Sequence, residues 1–449
     1  MDYQQCTDHL RELYRLPRTE RDARRGNLPE LLTALGRPQD GLRGAMVVGT
    51  NGKGSTAAFA VAALSASGQR VGSMPSPHLQ EPRERVRIDG RPVSRAEFAA
   101  AFTEVVAAIE EHHLPLSAAG LCTAVAVAHF RRAGATHVVA EASIGGRRSA
   151  VRALELDVKV ITGVGLDHTD LLGGTLAQIA RAKAGAVRDG DHVVLGRLDP
   201  QAQTAVEEVL AGRTGLTLWQ VDRHIHCTAR PGGTAGATVL DVATPRGEHR
   251  AVPCPLPGTH QHHNLALGLA AAAALAERGH ARIPTDEPLR RALAATRWPG
   301  RLELLTDARL DGWHGRVLLD GAHNPQGVAT VVPEIERIAG AADSPRTPRA
   351  AVVFAATRSK DAPAMLAALP DRWPLVLTRT GSPDASDPAA LHTGLPPARR
   401  AGAGAVTAPD TATALRRAAD LVGPGGLVVV LGSLRLVGES RTALGLPPA

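Results

Sequence analysis

An apolar run, Ala45 to Val48, leads directly into Gly49-Thr50-Asn51-Gly52-Lys53-Gly54-Ser55-Thr56. A small-residue helical stretch, TAAFAVAALSASG, follows, with Gly68 placed to cap it. A buried strand that turns through glycines into a helix is half of a βα unit, so this feature fixes the local fold class. It also narrows the chemistry. Glycines let backbone amides close around phosphate oxygens, and a helix N-terminus adds a favourable dipole. Lys53 would reach the β- and γ-phosphates of a nucleotide, and Ser55 or Thr56 offers a hydroxyl to Mg2+. The strict GxxxxGK[ST] spacing is absent, because Val47 and not glycine stands where the pattern would open. Taken alone, the turn also suits a Gly-rich βα connection that binds no nucleotide.

The same alternation runs along the chain and predicts an α/β fold with a mostly parallel sheet. His137 to Ala140 and Val158 to Thr162 read as further strands, with helical patterns at about 96–111, 117–133 and 175–187. From Leu218 to Pro255 short β-like pieces with Gly and Pro between them suggest an antiparallel side sheet, and an Ala-rich helix is expected over about 262–278. A second βα series begins near RWPGRLE at 297–303 and contains VLLDGAHNP, AVVFAA, PLVLTR and GLVVVLGS. ADSPRTPR (342–349) reads as a surface loop within it. With 449 residues the chain is too long for one ordinary core, and we divide it into 1–296 and 297–449. The first is a phosphate-loop domain and the second a smaller Rossmann-like α/β domain.

Composition closes off other classes. Aromatic residues make up only 2%, which argues against base-stacking recognition of single strands. A net charge of +7 without a long Lys/Arg run suits an enzyme of polyanionic substrates better than a nucleic-acid arm. No nucleic-acid partner is expected. Cys6, Cys122, Cys227 and Cys254 form no CxxC pair, so neither a disulfide framework nor a zinc knuckle is expected. The opening MDYQQCTDHLRELYRL has no apolar core of a signal peptide, and no stretch is long enough to span a membrane. A cytoplasmic protein is expected.

Further motifs follow in order: SPHL (76–79), ERVRIDG (84–90), EASIGGR (141–147) and GLDHTDLLGGTLAQIARAKAG (165–185). PGTHQHHN (257–264), RWPGRLE (297–303), DGAHNP (320–325) and GSLRLVGE (432–439) complete the series. With GTNGKGST they resemble the Mur ligases, and particularly the folylpolyglutamate synthase/dihydrofolate synthase family, from about residue 40 to 440. The resemblance implies an ATP-dependent amide ligase that joins a carboxylic acid to an amino acid, L-glutamate in the family, through an acyl phosphate. ATP and Mg2+ would be its cofactors, small molecules its partners, and the working form a monomer. It makes 1–296 the ATP-binding domain and 297–449 the amino-acid-binding one.

The same resemblance gives the side chains roles. Thr50, Asn51, Gly52, Lys53, Gly54, Ser55 and Thr56 would hold the nucleotide, with Ser55 or Thr56 serving one magnesium. Ser76, Glu141 and His168 would hold a second magnesium near the γ-phosphate. Lys183 would be carbamylated by CO2, which requires a neutral and therefore partly buried amine. Asn264 would meet the nucleotide, Arg301 would reach the phosphates, and Asp320, His323 and Ser433 would position the nucleotide and the incoming amino acid. Read without the family, Glu141 could be a capping carboxylate, His168 a core or loop imidazole, and Asp320 with His323 an N-cap. His260, His262 and His263 fit no standard zinc spacing and read as a polar loop opening a helix.

One segment departs. Where the folate enzymes read GGRLDATN, this chain has Gly145-Gly146-Arg147-Arg148-Ser149-Ala150-Val151-Arg152. An acid is lost and arginines are gained beside the family's acid-binding region. Arg147, Ser149 and Arg152 are therefore expected to contact the acid, which could be smaller or more acidic than a folate. Two alternatives remain open: a divergent ligase of another acid and amine, and a nucleotide-binding regulatory protein without catalysis.

Overall fold

The computed structural model describes the chain except residues 231–237, 283, 341–348 and 402–403. Eight strands form the first sheet: β1 (Arg43–Val48), β2 (Val71–Met74), β3 (Arg87–Ile88), β4 (Arg91–Pro92), β5 (His137–Glu141), β6 (Val158–Ile161), β7 (His192–Leu195) and β8 (Thr217–Gln220). Their order is β4-β3-β2-β5-β1-β6-β7-β8, and β3 alone runs against the rest, antiparallel to both β2 and β4. The chain leaves β1 toward one side of the sheet and later returns to the other side with β6. That reversal opens a crevice past the carboxyl ends of β5, β1 and β6, the usual ligand site of such sheets.

The strand cores are apolar because both faces are covered. Val47, Val48, Val138, Val139, Val160 and Ile161 are fully buried, each contributing roughly 1.5–3 kcal/mol relative to an exposed position. The expected side sheet is present as β9 (His226–Ala229), β10 (Thr238–Thr244) and β11 (Gly247–Cys254), all antiparallel. Its start differs from the sequence reading. Residues 217–220 extend the main sheet in parallel, because the capped helix Pro200–Ala211 makes Leu195 to Thr217 a βα crossover.

A second α/β layer follows residue 302: β12 (Glu303–Leu310), β13 (Trp313–Leu319), β14 (Ala350–Phe354), β15 (Leu375–Leu377), β16 (Ala405–Thr407) and β17 (Leu427–Leu431). The order is β12-β13-β17-β14-β15-β16, all parallel except the edge strand β12. β12 was not expected as a strand; its exposed alternation ELLTDARL carries too little apolar signal. Most of the loop expected at 342–349 lies outside the described residues. The opening segment forms the capped helix Tyr3–Arg15, which buries Cys6, Leu10 and Leu13. Among the described residues, no helix is long and apolar enough to cross a membrane.

Candidate active site

The turn after β1 is shaped by a neighbouring helix. Gly52 has φ +82°, and a Cβ there would stand 2.4 Å from Asn264 Oδ1. Asn264 lies buried on the helix His260–Glu277 and donates to Gln261 Oε1 at 2.9 Å. One turn further on, Gly268 lets that helix meet the helix Lys53–Ala66 backbone to backbone; an added Cβ would stand 2.7 Å from Phe59 Cβ. Packing along these two helices therefore sets Asn264 against the phosphate loop.

No side chain caps the N-terminus of the helix Lys53–Ala66, so its first-turn amides remain for a ligand. Lys53 Nζ donates to the Thr50 carbonyl at 3.0 Å and stands 3.8 Å from Glu141 Oε1. Ser55 Oγ and Thr56 Oγ1 are buried without a hydrogen-bond partner. Buried polar atoms are normally satisfied, so two adjacent orphans call for an occupant. Hydroxyl oxygens suit Mg2+, and the free amides beside them suit phosphate.

Glu141, at the end of β5, accepts from the Ser76 backbone N–H at 3.2 Å. Burial drives the Lys53 ammonium pKa down and the Glu141 carboxyl pKa up, while their mutual attraction opposes both shifts. Lys183, buried on the helix Leu176–Ala184, donates to the Gly49 carbonyl at 2.7 Å. Burial, with the Lys53 cation second, lowers its pKa to about 7. His168 caps the short helix Thr169–Leu172 with φ +50°, and burial plus the Lys360 cation lower its imidazole to about 4. It is neutral at neutral pH, and therefore able to offer a lone pair. Among the described residues, no three His, Cys, Asp or Glu side chains converge on a metal position by themselves. Glu141 and His168 can supply only part of a shell that the hydroxyls would share.

The opposite wall comes from the second layer. Arg301 donates to the Gly300 carbonyl at 2.9 Å, and its charge reaches both Lys53 and Glu141. Asp320 is engaged with the backbone: its two oxygens accept from Leu302 and Ala322 N–H, both at 2.8 Å. His323 Nδ1 lies 2.7 Å from the Gly321 carbonyl, and its Nε2 lies 3.6 Å from Asp167 Oδ2. Neither is the helix cap. Asn324 takes that role, accepting from Gly327 N–H at 2.8 Å at the start of the helix Pro325–Ala339. Ser433 caps the helix Leu434–Ala443, accepting from Arg435 N–H at 3.2 Å.

Sequence reasoning missed the seam that joins the two walls. Lys360 forms an ion pair with Asp167, which also accepts from Asn324 Nδ2 at 3.4 Å. Burial alone would raise the Asp167 pKa, but His323 and Lys360 outweigh it and hold the carboxyl well below its ordinary range. Asn51 of the phosphate loop exchanges hydrogen bonds with Asn324 at 2.9 and 3.2 Å and donates to Gln326 Oε1 at 3.2 Å. Lys360 follows β14, and a polar residue past the carboxyl end of a parallel strand was a usable signal.

The departing segment divides. Gly146 N–H donates to the Ala182 carbonyl at 3.0 Å, so Arg147 emerges, exposed, beside the Lys183 helix. Ser149 is buried and leads the 3-10 turn Ala150–Leu154. Arg152 follows in that turn and is tied toward the amino end of the sheet through its backbone. Its carbonyl accepts from Arg188, whose own N–H binds Asp191 at the amino end of β7. The phosphate loop sits at the carboxyl end, roughly 13 Å away for a four-residue strand. The burial-lowered Arg152 guanidinium faces Arg188, Arg147, Arg213 and Asp191. His260, His262 and His263 occupy the first turn of a helix and not a loop, and His263 Nε2 lies 3.4 Å from the Thr162 carbonyl.

A phosphate loop facing a second α/β layer across a cleft lined by Ser76, Glu141, Trp298 and Arg301 defines an ATP-dependent ligase of the Mur type. Residues 101–274 match the Mur ligase middle domain and residues 300–434 the Mur ligase glutamate ligase domain. The chain is 32% identical over 473 residues to a dihydrofolate synthase/folylpolyglutamate synthase of Mycobacterium tuberculosis, covering 98% of this chain and 94% of that protein. It is 33% identical over 454 residues to a probable bifunctional folylpolyglutamate synthase/dihydropteroate synthase of Haloferax volcanii, covering 98% of this chain but 50%, about half the length, of that relative. The structure superposes on M. tuberculosis folylpolyglutamate synthase complexed with ADP with a TM-score of 0.84 at 29% identity, over 100% and 99% of the two chains. An FPGS–AMPPCP–folate complex gives 0.79 at 28% identity, over 99% and 100%. The chain belongs to the folylpolyglutamate synthase/dihydrofolate synthase family of Mur ligases.

Proposed function

We propose that the protein joins L-glutamate to dihydropteroate or a folate, converting ATP to ADP and phosphate. A carboxylate is a poor electrophile. Its oxygen attacks the γ-phosphorus, ADP leaves, and an acyl phosphate forms. The amine of glutamate then attacks the acyl carbon, and the tetrahedral intermediate collapses with loss of phosphate and a proton to give the amide. The observation that carries this reading is the pair of orphaned hydroxyls, Ser55 and Thr56, one turn from the buried Lys53–Glu141 pair. Lys53 and Arg301 would stabilise charge on the transferring phosphoryl group, and Asn264, with Thr50, Asn51, Gly52 and Gly54, would hold the nucleotide.

Magnesium, when bound, would neutralise phosphate charge, and Ser55, Thr56, Ser76, Glu141 and His168 are the residues proposed to hold it. Lys183, with a pKa near 7, has the neutral amine that carbamylation by CO2 requires. His323 and Ser433 would meet the amino acid, with Asp320 bracing their loop, and Arg147 and Ser149 would border the acid. An acyl phosphate hydrolyses in water, so closure of 297–449 onto 1–296 about residues 296–300 would protect it. Because one chain supplies both walls, a cytoplasmic monomer suffices. A second reading, a different acid, is favoured by Ser149 standing where the folate pattern has Asp. The test is mass spectrometry of reactions containing Mg-ATP, bicarbonate, L-glutamate and either dihydropteroate or tetrahydrofolate. A new γ- or α-glutamyl amide supports the first reading. ATP binding with no amide from either acid turns the search to other acids.

A further inference from the structure

Next to Ser76 lies a cation that the proposed reaction leaves without a task. Arg85 Nε donates to His78 Nδ1 at 2.8 Å, Nη1 reaches Ser76 Oγ at 3.4 Å, and the guanidinium lies 5.9 Å from the centre of the Tyr14 ring. Its neighbours are engaged differently. Arg83 and Arg95 pair with Glu81, both at 2.5 Å, and Arg87 is bound to the carbonyls of Glu84, Gly90 and Ala449 while stacking on Trp298. Among the described residues, no carboxylate pairs with Arg85. Its hydrogen-bond partners are neutral and Glu141 and Glu84 act on it only through space, so this guanidinium keeps N–H groups for an anion.

Its place says which anion. Ser76 accepts from Arg85 through its hydroxyl and donates through its N–H to Glu141, which stands 3.8 Å from Lys53. Arg85 is thus on the far side of Ser76 from the phosphate-binding lysine, where an acid must lie to present an oxygen to the γ-phosphate. Tyr14, 41% exposed on the N-terminal helix, lines the outer side with an aromatic face. We infer that Arg85 binds the carboxylate of the acid substrate, and that Tyr14 flanks the flat, aryl body to which this carboxylate is attached. This assignment rests on the ligase reading and names the substrate class of the same site.

The test compares the wild type with Arg85→Ala and Arg85→Lys in steady-state turnover. Dihydropteroate and tetrahydrofolate are the acids, and ATP affinity is measured in parallel as the control for folding. Loss of a charge-assisted fork raises the KM for the acid by roughly 10- to 100-fold in Arg85→Ala. Arg85→Lys, which keeps the charge without the fork, falls between, added guanidinium partly restores Arg85→Ala, and the KM for ATP stays within about twofold. An acid KM within about threefold of the wild type, or an equal loss for ATP, overturns the assignment. Equilibrium binding of the same acids with a non-hydrolysable ATP analogue separates the two claims. Acid binding that depends on Arg85, in a protein that never releases ADP, keeps this site and removes the ligase. Amide formation with unchanged acid binding by Arg85→Ala removes this site alone, and failure of every acid to bind the wild type removes both.

Discussion

On the phosphate-loop wall of the cleft, the hydroxyls of Ser55 and Thr56 are buried with nothing to bond, whereas on the facing seam Asp167 and Asp320 have both oxygens engaged. The first region carries an unmet desolvation cost that only a ligand relieves. The second satisfies itself and ties the two layers together. Activity and stability should therefore separate by wall, and substitutions can break or sharpen that division.

The largest effect is expected from Lys53→Ala, which removes the cation nearest the transferring phosphoryl group. ADP release should fall by roughly 10³-fold, read in a coupled assay at saturating Mg-ATP. Ser55→Ala and Thr56→Ala should lower turnover by about 100-fold and raise the Mg2+ requirement. Their melting temperatures should hold or rise, because each deletes a buried hydroxyl that has no partner. A clear loss of stability in both would contradict the orphaned state.

Asp167→Asn should do the reverse, lowering unfolding free energy by about 3 kcal/mol in urea titrations by leaving Lys360 buried without its partner. The pH sign follows from the depressed carboxyl. Its contribution is complete above the unfolded value near 4 and is lost as pH falls below that value. The wild type should lose stability more steeply than Asp167→Asn between about pH 5 and 3. Smaller again is the effect at Lys183. With a pKa near 7 its amine is about half protonated at pH 7, so CO2-depleted buffer should lower activity, more so below pH 7, and bicarbonate should restore it. Arg152→Ala, at the other end of the sheet, should leave the acid KM within about twofold.

Much of this was legible because the strands are buried on both faces. Runs such as AMVV, HVVA and LVVV carry their own signal, and glycines mark the phosphate loop. β12 was not legible, since one exposed face dilutes the pattern to ELLTDARL. Lys53, Ser55, Thr56 and Glu141 could be gathered from motifs placed at strand ends, whereas Lys183, inside the helix Leu176–Ala184, could be singled out only through the family resemblance. Arg152 could not be placed, because three residues of 3-10 helix carry it toward the amino edge while sequence distance from Gly146 stays short. The Asp167–Lys360 pair spans 193 positions, and nothing local in RSKD announces its partner.

The most direct measurement is isotope transfer. Dihydropteroate carrying ¹⁸O in its carboxylate is incubated with the protein, Mg-ATP and L-glutamate, and the inorganic phosphate is analysed. An acyl phosphate route places one ¹⁸O from each carboxylate in the phosphate released with the amide. Amide formed with unlabelled phosphate would contradict activation of the acid by phosphoryl transfer.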